Sequence, residues 1–276
     1  VSSTTESSAL TACLKTSLPA MLMRTPAFFS PSLKPTDTPT FSAQLGWREQ
    51  GIVSGGMDVG GRFGNEQMFG YRFNAYREKG ETFNGGHVDR KVGALSLDAR
   101  LSDALIWTFD GVFQSRDLRE ESPQYYFRGL TSLPRPIAGN SGNSVPGTYY
   151  DTRSSLLSTR LDWQINSDWK TSLSYGVTTS WNDVNKIFAY IDSPNGDYDV
   201  NVYELGGKSE WKLAQAMLQG SFHTGPLQHQ VVAGISHQTG LGWDRPYEWS
   251  LIGRANLYQR HAIRHDAVGS RVMTRG

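Results

Sequence analysis

The sequence predicts an all-β protein, an antiparallel meander of about nine long strands that forms part of a transmembrane β-barrel, incomplete and open. Three observations lead to this prediction. Apolar and polar residues alternate with a period of two through most of residues 41–240. The predicted connections are tight at one end of the strands and mostly long at the other, which is typical of outer-membrane barrels. The chain is rich in aromatic residues, many near predicted strand ends, as in the girdles at the two membrane interfaces.

The composition of the 276 residues excludes several classes of protein. No run approaches the ~18 apolar residues of a membrane-spanning helix. The net charge is +1, whereas a nucleic-acid-binding protein needs a concentrated basic face, so no nucleic-acid partner is expected. Cys13 is the only cysteine in the sequence, which excludes an intramolecular disulfide and a cysteine-rich metal site.

Residues 1–40 are rich in Ser, Thr and Pro and show no sustained strand or helix period. We predict that this segment is irregular or disordered. A secretory signal has a basic start, an apolar run and a small-residue cleavage site. The apolar patches here are interrupted by Pro19, Arg24 and Pro26, so no signal peptide is predicted.

Five strands are predicted between residues 41 and 115. In the first, Phe41, Leu45 and Trp47 lie on one face and alternate with polar residues and glycine. The connections are tight near Gly64 and Ser102. Residues 79–90 are predicted to form a longer polar loop.

Residues 154–181 contain the clearest strand pair, two long alternating segments joined by a tight turn at Ser167 and Asp168. The opposite face carries mainly Ser, Thr, Asp, Arg, Lys and Gln. The apolar face carries Leu157, Thr159, Leu161, Trp163 and Ile165 on the first strand, and Trp169, Thr171, Leu173, Tyr175, Val177, Thr179 and Trp181 on the second.

Two more strands follow at about 201–222 and 228–239, joined by a tight turn at 223–226. Their shared apolar face is predicted to carry Ala214, Ala216, Leu218, Gly220 and Phe222 on the first strand, and Val231, Ala233 and Ile235 on the second. The remaining segments are predicted to be two long loops and a tail that is loop-like, extracellular and irregular: 116–153, 182–199 and 241–276.

The alternation fits two settings, which the residues leave open. In a membrane barrel the apolar face meets lipid and the polar face lines the lumen. In a soluble β-protein of binding type, the polar face meets bulk water. The segregation of short and long connections favours the barrel. A small self-contained outer-membrane barrel, acting as a pore or an enzyme, remains an alternative that needs an even strand count and closure.

A set of short motifs follows the order and spacing of a known family. The motifs are MDVGGRFG at 57–64, FGYRFN at 69–74, LSLDAR at 95–100, WTFD at 107–110, LQGSF at 218–222 and HQVVAG at 229–234. Together they resemble the barrel of TonB-dependent outer-membrane receptors of the ferric-siderophore type, over roughly residues 34–260. KPTD at 34–37 resembles the point where the chain leaves the plug domain for the barrel. Residues 41–240 are therefore predicted to be a partial receptor-like barrel.

The resemblance implies a parent protein in the outer membrane of a Gram-negative bacterium, surrounded by outer-membrane lipid. That parent would bind a ferric siderophore, a small ferric chelate, and import it with energy from the TonB complex. No chemistry on the ligand is implied, so we expect no enzyme activity, no catalytic residue and no cofactor. The family places a plug domain ahead of a barrel of about 22 strands. This chain is therefore expected to be a receptor fragment that lacks the plug and cannot transport alone.

The predicted loop 116–153 is the best candidate for ligand contact, because it places aromatic residues beside a cation. The predicted substrate-binding residues are Tyr125, Tyr126, Phe127 and Arg128. Stacking and charge together could hold a flat, anionic, iron-loaded chelate. The alternative is that these aromatic side chains belong to the outer girdle or pack within the loop.

Other polar residues receive weaker assignments. The lumen side is predicted to carry Arg72, Arg100, Arg160 and Lys170, which in a whole receptor would touch the plug or line the wall. His223, His229 and His237 suggest a metal site, but the strand assignment separates His223 from His237, so no metal is predicted. No compact Ser, His and Asp spacing suggests hydrolysis.

Overall fold

The computed structural model describes residues 2–11, 34–48, 51–139 and 144–259, with the backbone only for 2–11. Cys13 and the basic tail beyond residue 259 lie outside the described residues. No helix in the described ranges is long and apolar enough to cross a membrane. The strands are β1 (Ser2–Thr11), β2 (Thr40–Arg48), β3 (Ile52–Phe63), β4 (Phe69–Glu81), β5 (His87–Ser102), β6 (Leu105–Arg119), β7 (Gln124–Phe127), β8 (Tyr149–Gln164), β9 (Trp169–Ile191), β10 (Asp197–Thr224) and β11 (Leu227–Asn256), with a 3₁₀ turn at Asn65–Gln67.

The strands form one open sheet, which confirms the predicted all-β antiparallel meander. The spatial order is β1-β11-β10-β9-β8-β6-β5-β4-β3-β2. Strand β7 is the exception, because it pairs in parallel with the far end of β9. It lies where β8 has already ended, since the last β8–β9 pair is Tyr149 with Asn185.

The strand register confirms the predicted faces of the central hairpins. On β8 and β9, Leu157 lies opposite Val177 and Leu161 opposite Leu173. On β10 and β11, the predicted apolar residues also pair, as Ala216 does with Ile235. We call the face that carries these residues the apolar face, and the opposite one the polar face. Side chains alternate between faces along each strand, so the register extends both assignments across the sheet.

Three segments predicted as loops contain long stretches of strand. Strands β4 and β5 extend into 79–90, β9 and β10 extend into 182–199, and β11 continues to Asn256. On the β9 and β10 extensions, one face carries buried aliphatic residues and the other carries aromatic ones, so apolar residues no longer alternate with polar ones. The period-two signal therefore disappears there, although the backbone ladder continues.

Strand β1 was not expected within the segment predicted to be irregular. It runs antiparallel to β11, from Ser2 opposite Trp243 to Thr11 opposite Gly234. Among the described strands, β1 and β2 are the two edges, and the sheet does not close. A self-contained barrel therefore has no support in the described residues. The division of the chain at residues 40 and 240 stays a prediction.

Residues 34–39 cross the polar face at the near end of β3–β5, where the connections are tight. The Asp37 carboxylate lies 2.6 Å from the Arg100 guanidinium and 3.7 Å from that of Arg62. Arg72 donates a hydrogen bond to the Lys34 carbonyl at 3.2 Å. A Cβ added at Gly70 would lie 2.8 Å from Pro35, so glycine is what lets this segment approach the strand.

The far end of the sheet has its own apolar core. Buried residues of β9 and β10 pack with one residue of the 128–148 segment, which covers the apolar face there: Val145, Ile187, Ala189, Ile191, Tyr198, Val200 and Val202. Since this core fixes the ends of β9 and β10, the side chains on the reverse side of the same strands are held in register.

Candidate functional site

The structure divides the four predicted site residues between the two faces of the sheet. They lie on β7 and the residue after it, where Tyr126 is paired with Tyr190 of β9. Tyr126 and Arg128 lie on the polar face. Tyr125 and Phe127 point to the opposite side, because neighbouring residues of a strand alternate. The four therefore cannot form one binding surface.

Tyr126 belongs to a continuous set of rings on the polar face. Its ring stacks on those of Phe188 and Tyr190, with centroids 5.6 and 5.4 Å apart. The Phe188 ring meets Tyr203 edge-on at 4.7 Å, and Tyr203 stacks on Trp249 at 6.3 Å. The set spans β7, β9, β10 and β11, and we call Tyr126, Phe188, Tyr190, Tyr203 and Trp249 the aromatic column.

A hydrogen bond and a cation reinforce the aromatic column. The Tyr190 and Tyr203 hydroxyl oxygens are 3.3 Å apart, within hydrogen-bond distance. The Arg128 guanidinium carbon lies 4.6 Å from the centroid of the Tyr190 ring, in cation–π contact. These contacts hold the rings in place while leaving part of the surface accessible, since Trp249 is 58% exposed and Tyr126 39%.

Arg128 forms no ion pair among the described residues. Asp192 and Asp199 both bind Arg254, at 2.8 and 2.9 Å. The hydrogen bond from Arg254 lowers the pKa of Asp192, burial opposes this, and the charge of Arg128 also lowers that pKa slightly. Both carboxylates form their ion pairs with Arg254, which leaves the guanidinium nitrogens of Arg128 without a carboxylate in direct contact among the described residues.

Tyr125 and Phe127 have different surroundings from Tyr126. The Tyr125 ring meets the edge of Tyr198 at 5.8 Å and packs against the far-end core. Burial, followed by the proximity of Tyr125, raises the pKa of the Tyr198 hydroxyl. Phe127 is 56% exposed on the side away from the column. Tyr125 therefore has a packing environment, in agreement with the alternative weighed for this loop.

The four cations predicted for the lumen side lie on the polar face. Arg72 binds Asp58 at 2.6 Å, Arg100 binds Asp37, and Arg160 binds Asp162. Two of these pairs hold the strands and residues 34–39 together, which is a structural role. Lys170 is exposed beside the tight turn, far along the strand from the aromatic column.

Four members of the aromatic column were not predicted as site residues. Phe188 and Tyr190 lie in the predicted loop 182–199, Trp249 lies beyond the predicted end of the last strand, and Tyr203 lies at the start of the predicted strand 201–222. Phe188 and Tyr190 are two residues apart, which is the spacing of one strand face. That spacing within the predicted loop 182–199 was the available signal. Tyr203 and Trp249 could be placed beside them only once the register was known.

The histidines do not assemble into a metal site. His229 stacks on Phe222 and lies within hydrogen-bond distance of Thr224, at the tight turn between β10 and β11. His237 lies further along β11. Within the described ranges, no group of three or more His, Cys, Asp or Glu side chains could hold a metal ion.

Comparison with known proteins supports the fold assigned to the sheet. No family model matches the chain. It is 22% identical over 235 residues to the ferrichrome receptor FcuA of Yersinia enterocolitica, covering 82% of this chain and 30% of the relative. The ferric preacinetobactin receptor BauA of Acinetobacter baumannii superposes with a TM-score of 0.74 at 19% identity, over 82% of this chain and 35% of that one.

A second solved structure gives the same result. The open form of the ferric-catecholate import receptor Fiu of E. coli K12 has a TM-score of 0.70 at 16% identity, over 84% of this chain and 38% of its own. The chain thus spans about a third of the length of the relatives it matches. The predicted resemblance to the barrel of TonB-dependent siderophore receptors is confirmed at the level of the fold, as part of one barrel wall.

Proposed function

We propose that this chain forms part of the wall of an outer-membrane receptor that binds a ferric siderophore in a Gram-negative bacterium and imports it. The observation that carries the proposal is the aromatic column beside Arg128, on the polar face at the far end of the sheet. The fold shared with receptors for ferrichrome, ferric preacinetobactin and ferric catecholates supports the same reading.

In this proposal the apolar face meets lipid and the polar face lines the lumen. Large apolar side chains lie exposed on the apolar face, with Leu45 at 92% and Trp47 at 74%. Their exposure to water would be costly, whereas lipid solvates them. The tight turns then face the periplasm, and the long ends of β9–β11 project outward. A transmembrane strand needs about 9–11 residues, so the remainder of these three strands extends beyond the bilayer.

The aromatic column and Arg128 offer two complementary contacts to a chelate. The tyrosine and tryptophan faces can stack on planar groups of the ligand, and the guanidinium can bind its negative charge. Neither contact makes or breaks a covalent bond, so the protein acts as a receptor and not as an enzyme. The ferric ion is cargo carried within the ligand.

Import needs parts that the described residues do not supply. In the proposed parent, residues 34–39 lead from a plug domain held against the polar face by Asp37, Arg62 and Arg100. The plug would close the lumen and receive energy from the TonB complex. We expect the 276 residues alone to bind ligand weakly and to import none, and iron-chelate uptake by cells that make only this chain would contradict this.

Removal of one ring of the aromatic column tests the binding proposal. Tyr190→Ala deletes the ring that contacts both Tyr126 and Arg128. Loss of a stacking and a cation–π contact costs about 1–2 kcal/mol, so affinity should fall by roughly five- to thirtyfold. Affinity for a ferric catecholate is measured by tryptophan quenching of the chain refolded in detergent micelles.

Phe127→Ala is the matched control. It removes an aromatic ring from the same short segment, on the opposite face. The control should bind the ferric catecholate as the unmodified chain does. Equal affinity of Tyr190→Ala and the unmodified chain would contradict the assignment of the aromatic column.

A further inference from the structure

Three basic side chains lie on the apolar face in a single row across the sheet. Lys91 of β5 lies opposite Ser115, which lies opposite Arg153 of β8. Arg153 is opposite Trp181, which is opposite Lys208 of β10, and Lys208 is opposite Trp243 of β11. Adjacent strands are about 4.8 Å apart, so successive cations are roughly 10 Å from each other. We call Lys91, Arg153 and Lys208 the basic row.

Lys91 and Arg153 of the basic row follow directly on the apolar series of their strands. On β8 the apolar face runs through Trp163, Leu161 and Leu157 before the first charged residue, Arg153. On β5, Lys91 is likewise the first charge beyond Leu95. The two cations therefore lie at the level where a surrounding bilayer changes from hydrocarbon to headgroups.

The carboxylates nearest to these cations on the same face form their direct ion pairs with other cations, while Asp89 and Glu210 interact with Lys91 and Lys208 only at longer range. Asp89, two residues from Lys91, binds Arg77 at 2.8 Å. Asp151, two residues from Arg153, binds Arg119, and Glu210, two residues from Lys208, binds Lys212 at 2.9 Å. All three side chains of the basic row are exposed, and no ion pair to them is found among the described residues.

Indole rings position two of the cations. The Arg153 guanidinium lies over the Trp181 ring, 4.9 Å from its centroid, and the Lys208 ammonium lies 5.4 Å from that of Trp243. One open groove of about 480 Å³ is lined by the three cations together with Phe113 and Trp181. Tryptophan is the residue most typical of a membrane interface, where its ring meets both chains and headgroups.

We propose that the basic row binds a phosphate-bearing lipid of the outer leaflet. The guanidinium and the ammonium groups donate charge-assisted hydrogen bonds to its phosphates, and the apolar belt beside them packs against its acyl chains. A basic pocket at the lipid-facing surface of a membrane protein is a recognition site for anionic headgroups. The inference rests on the proposed placement of the sheet in a membrane, and it is independent of the siderophore.

Native mass spectrometry of the full chain in detergent micelles tests this site. The probe is lipid A, a diphosphorylated glycolipid, titrated against the same lipid with its phosphates removed. The test variant is Lys91→Gln with Arg153→Gln. Since each basic residue at an anionic surface contributes about a factor of five, its apparent affinity for lipid A should fall by roughly 25-fold.

The matched control is Arg160→Gln with Lys170→Gln, which removes one Arg and one Lys from β8 and β9 on the polar face. The control and the unmodified chain should retain lipid A equally, and both should prefer it to the dephosphorylated lipid. Equal loss in both variants, or no preference for phosphate, would overturn the proposal. If inorganic phosphate occupied the basic row at the same concentration as lipid A, the ligand of the row would be a free anion and not a lipid. A chain that takes up neither detergent nor lipid would refute the membrane placement itself, whereas the test of Tyr190→Ala concerns only the siderophore site.

Discussion

At the scale of the residue, the cations of the sheet differ in whether a carboxylate forms an ion pair with them. Arg62 has a side chain only 2% exposed, and Asp98 binds it through both guanidinium nitrogens. Burial of that charge depends on the carboxylate, because an uncompensated buried ion is costly. Arg128 and the basic row have no such pair in the described ranges, which is why their charge is available to a ligand.

Asp98→Asn should destabilise the folded sheet. The substitution removes the charge that compensates a buried guanidinium while preserving the shape of the side chain. Breaking such a pair costs about 3 kcal/mol. The midpoint of urea unfolding in detergent micelles, followed by circular dichroism, measures the effect.

Asp162→Asn provides the comparison for this prediction. Its partner Arg160 is 57% exposed, so solvent screens the pair and the loss should stay below about 1 kcal/mol. If the two substitutions shifted the midpoint equally, burial would not govern the strength of these ion pairs.

At the scale of the element, the far end of β9, β10 and β11 is tied together by one arginine. Arg254 of β11 binds Asp192, just after β9, and Asp199 of β10. Asn256 adds a hydrogen bond to Asp197 at 2.7 Å. We call these contacts of Arg254 and Asn256 the clamp. The aromatic column lies on the same strands, so the ends that carry the proposed ligand site depend partly on the clamp.

The clamp predicts acid sensitivity of the far end. Because the hydrogen bond from Arg254 lowers the pKa of Asp192 below its ordinary 3.8, the folded clamp binds fewer protons than the unfolded chain. The stabilisation is present above that ordinary pKa and is lost as the pH falls through the lowered one. Cleavage by pepsin, which prefers aromatic residues, should therefore increase beside Tyr190 and Tyr198 as the pH falls through this range.

Arg254→Gln identifies the cause of that acid sensitivity. Without the guanidinium, the pKa of Asp192 returns toward its ordinary value, and the pH-dependent part of the cleavage should disappear. An unchanged pH profile in this variant would mean that other carboxylates control the far end. The comparison uses the ratio to cleavage at a distant site, so that the pH dependence of pepsin itself cancels.

The sequence predicted strands well where one face is apolar and the other polar, and less well where both faces carry apolar or aromatic residues. The faces of β8 and β9 were predicted correctly because apolar and polar residues alternate along both strands, and the predicted apolar residues Leu157 and Val177 are paired in the structure. Beyond Trp181 the same strand continues to Ile191, but buried Ile187 and Ala189 face a covering loop while Phe188 and Tyr190 face the other side. With apolar residues on both faces, periodicity cannot distinguish this strand from an aromatic-rich loop.

The candidate site was predicted only in part, for a similar reason. Tyr126 and Arg128 could be selected as an aromatic residue near a cation, but so could Tyr125 and Phe127, which the structure places elsewhere. Which of four consecutive residues shares a surface with Tyr203 and Trp249 depends on the pairing of β7 with β9. That pairing joins residues more than 60 positions apart and leaves no local pattern in the sequence.

At the scale of the whole molecule, the described sheet has the form of one part of a barrel wall. Its two edges, β1 and β2, each have one neighbour among the described strands. An open edge in lipid leaves backbone N–H and C=O groups without partners, which costs several kcal/mol for each group. In the proposed parent, further strands would satisfy both edges and enclose the polar face around residues 34–39 and the aromatic column.

Spin-label accessibility along β9 shows whether the apolar face of the sheet meets lipid and the polar face meets water, as proposed. Single cysteines are introduced in turn at positions 172–177 of a Cys13→Ser chain refolded in lipid vesicles, and each is labelled with a nitroxide. Labels replacing Leu173, Tyr175 and Val177 should collide mainly with oxygen, which concentrates in lipid. Those at Ser172, Ser174 and Gly176 should collide mainly with a water-soluble nickel complex. Equal access of the nickel complex to all six positions would contradict the proposed lipid-facing side and would mean that both faces of the sheet meet water.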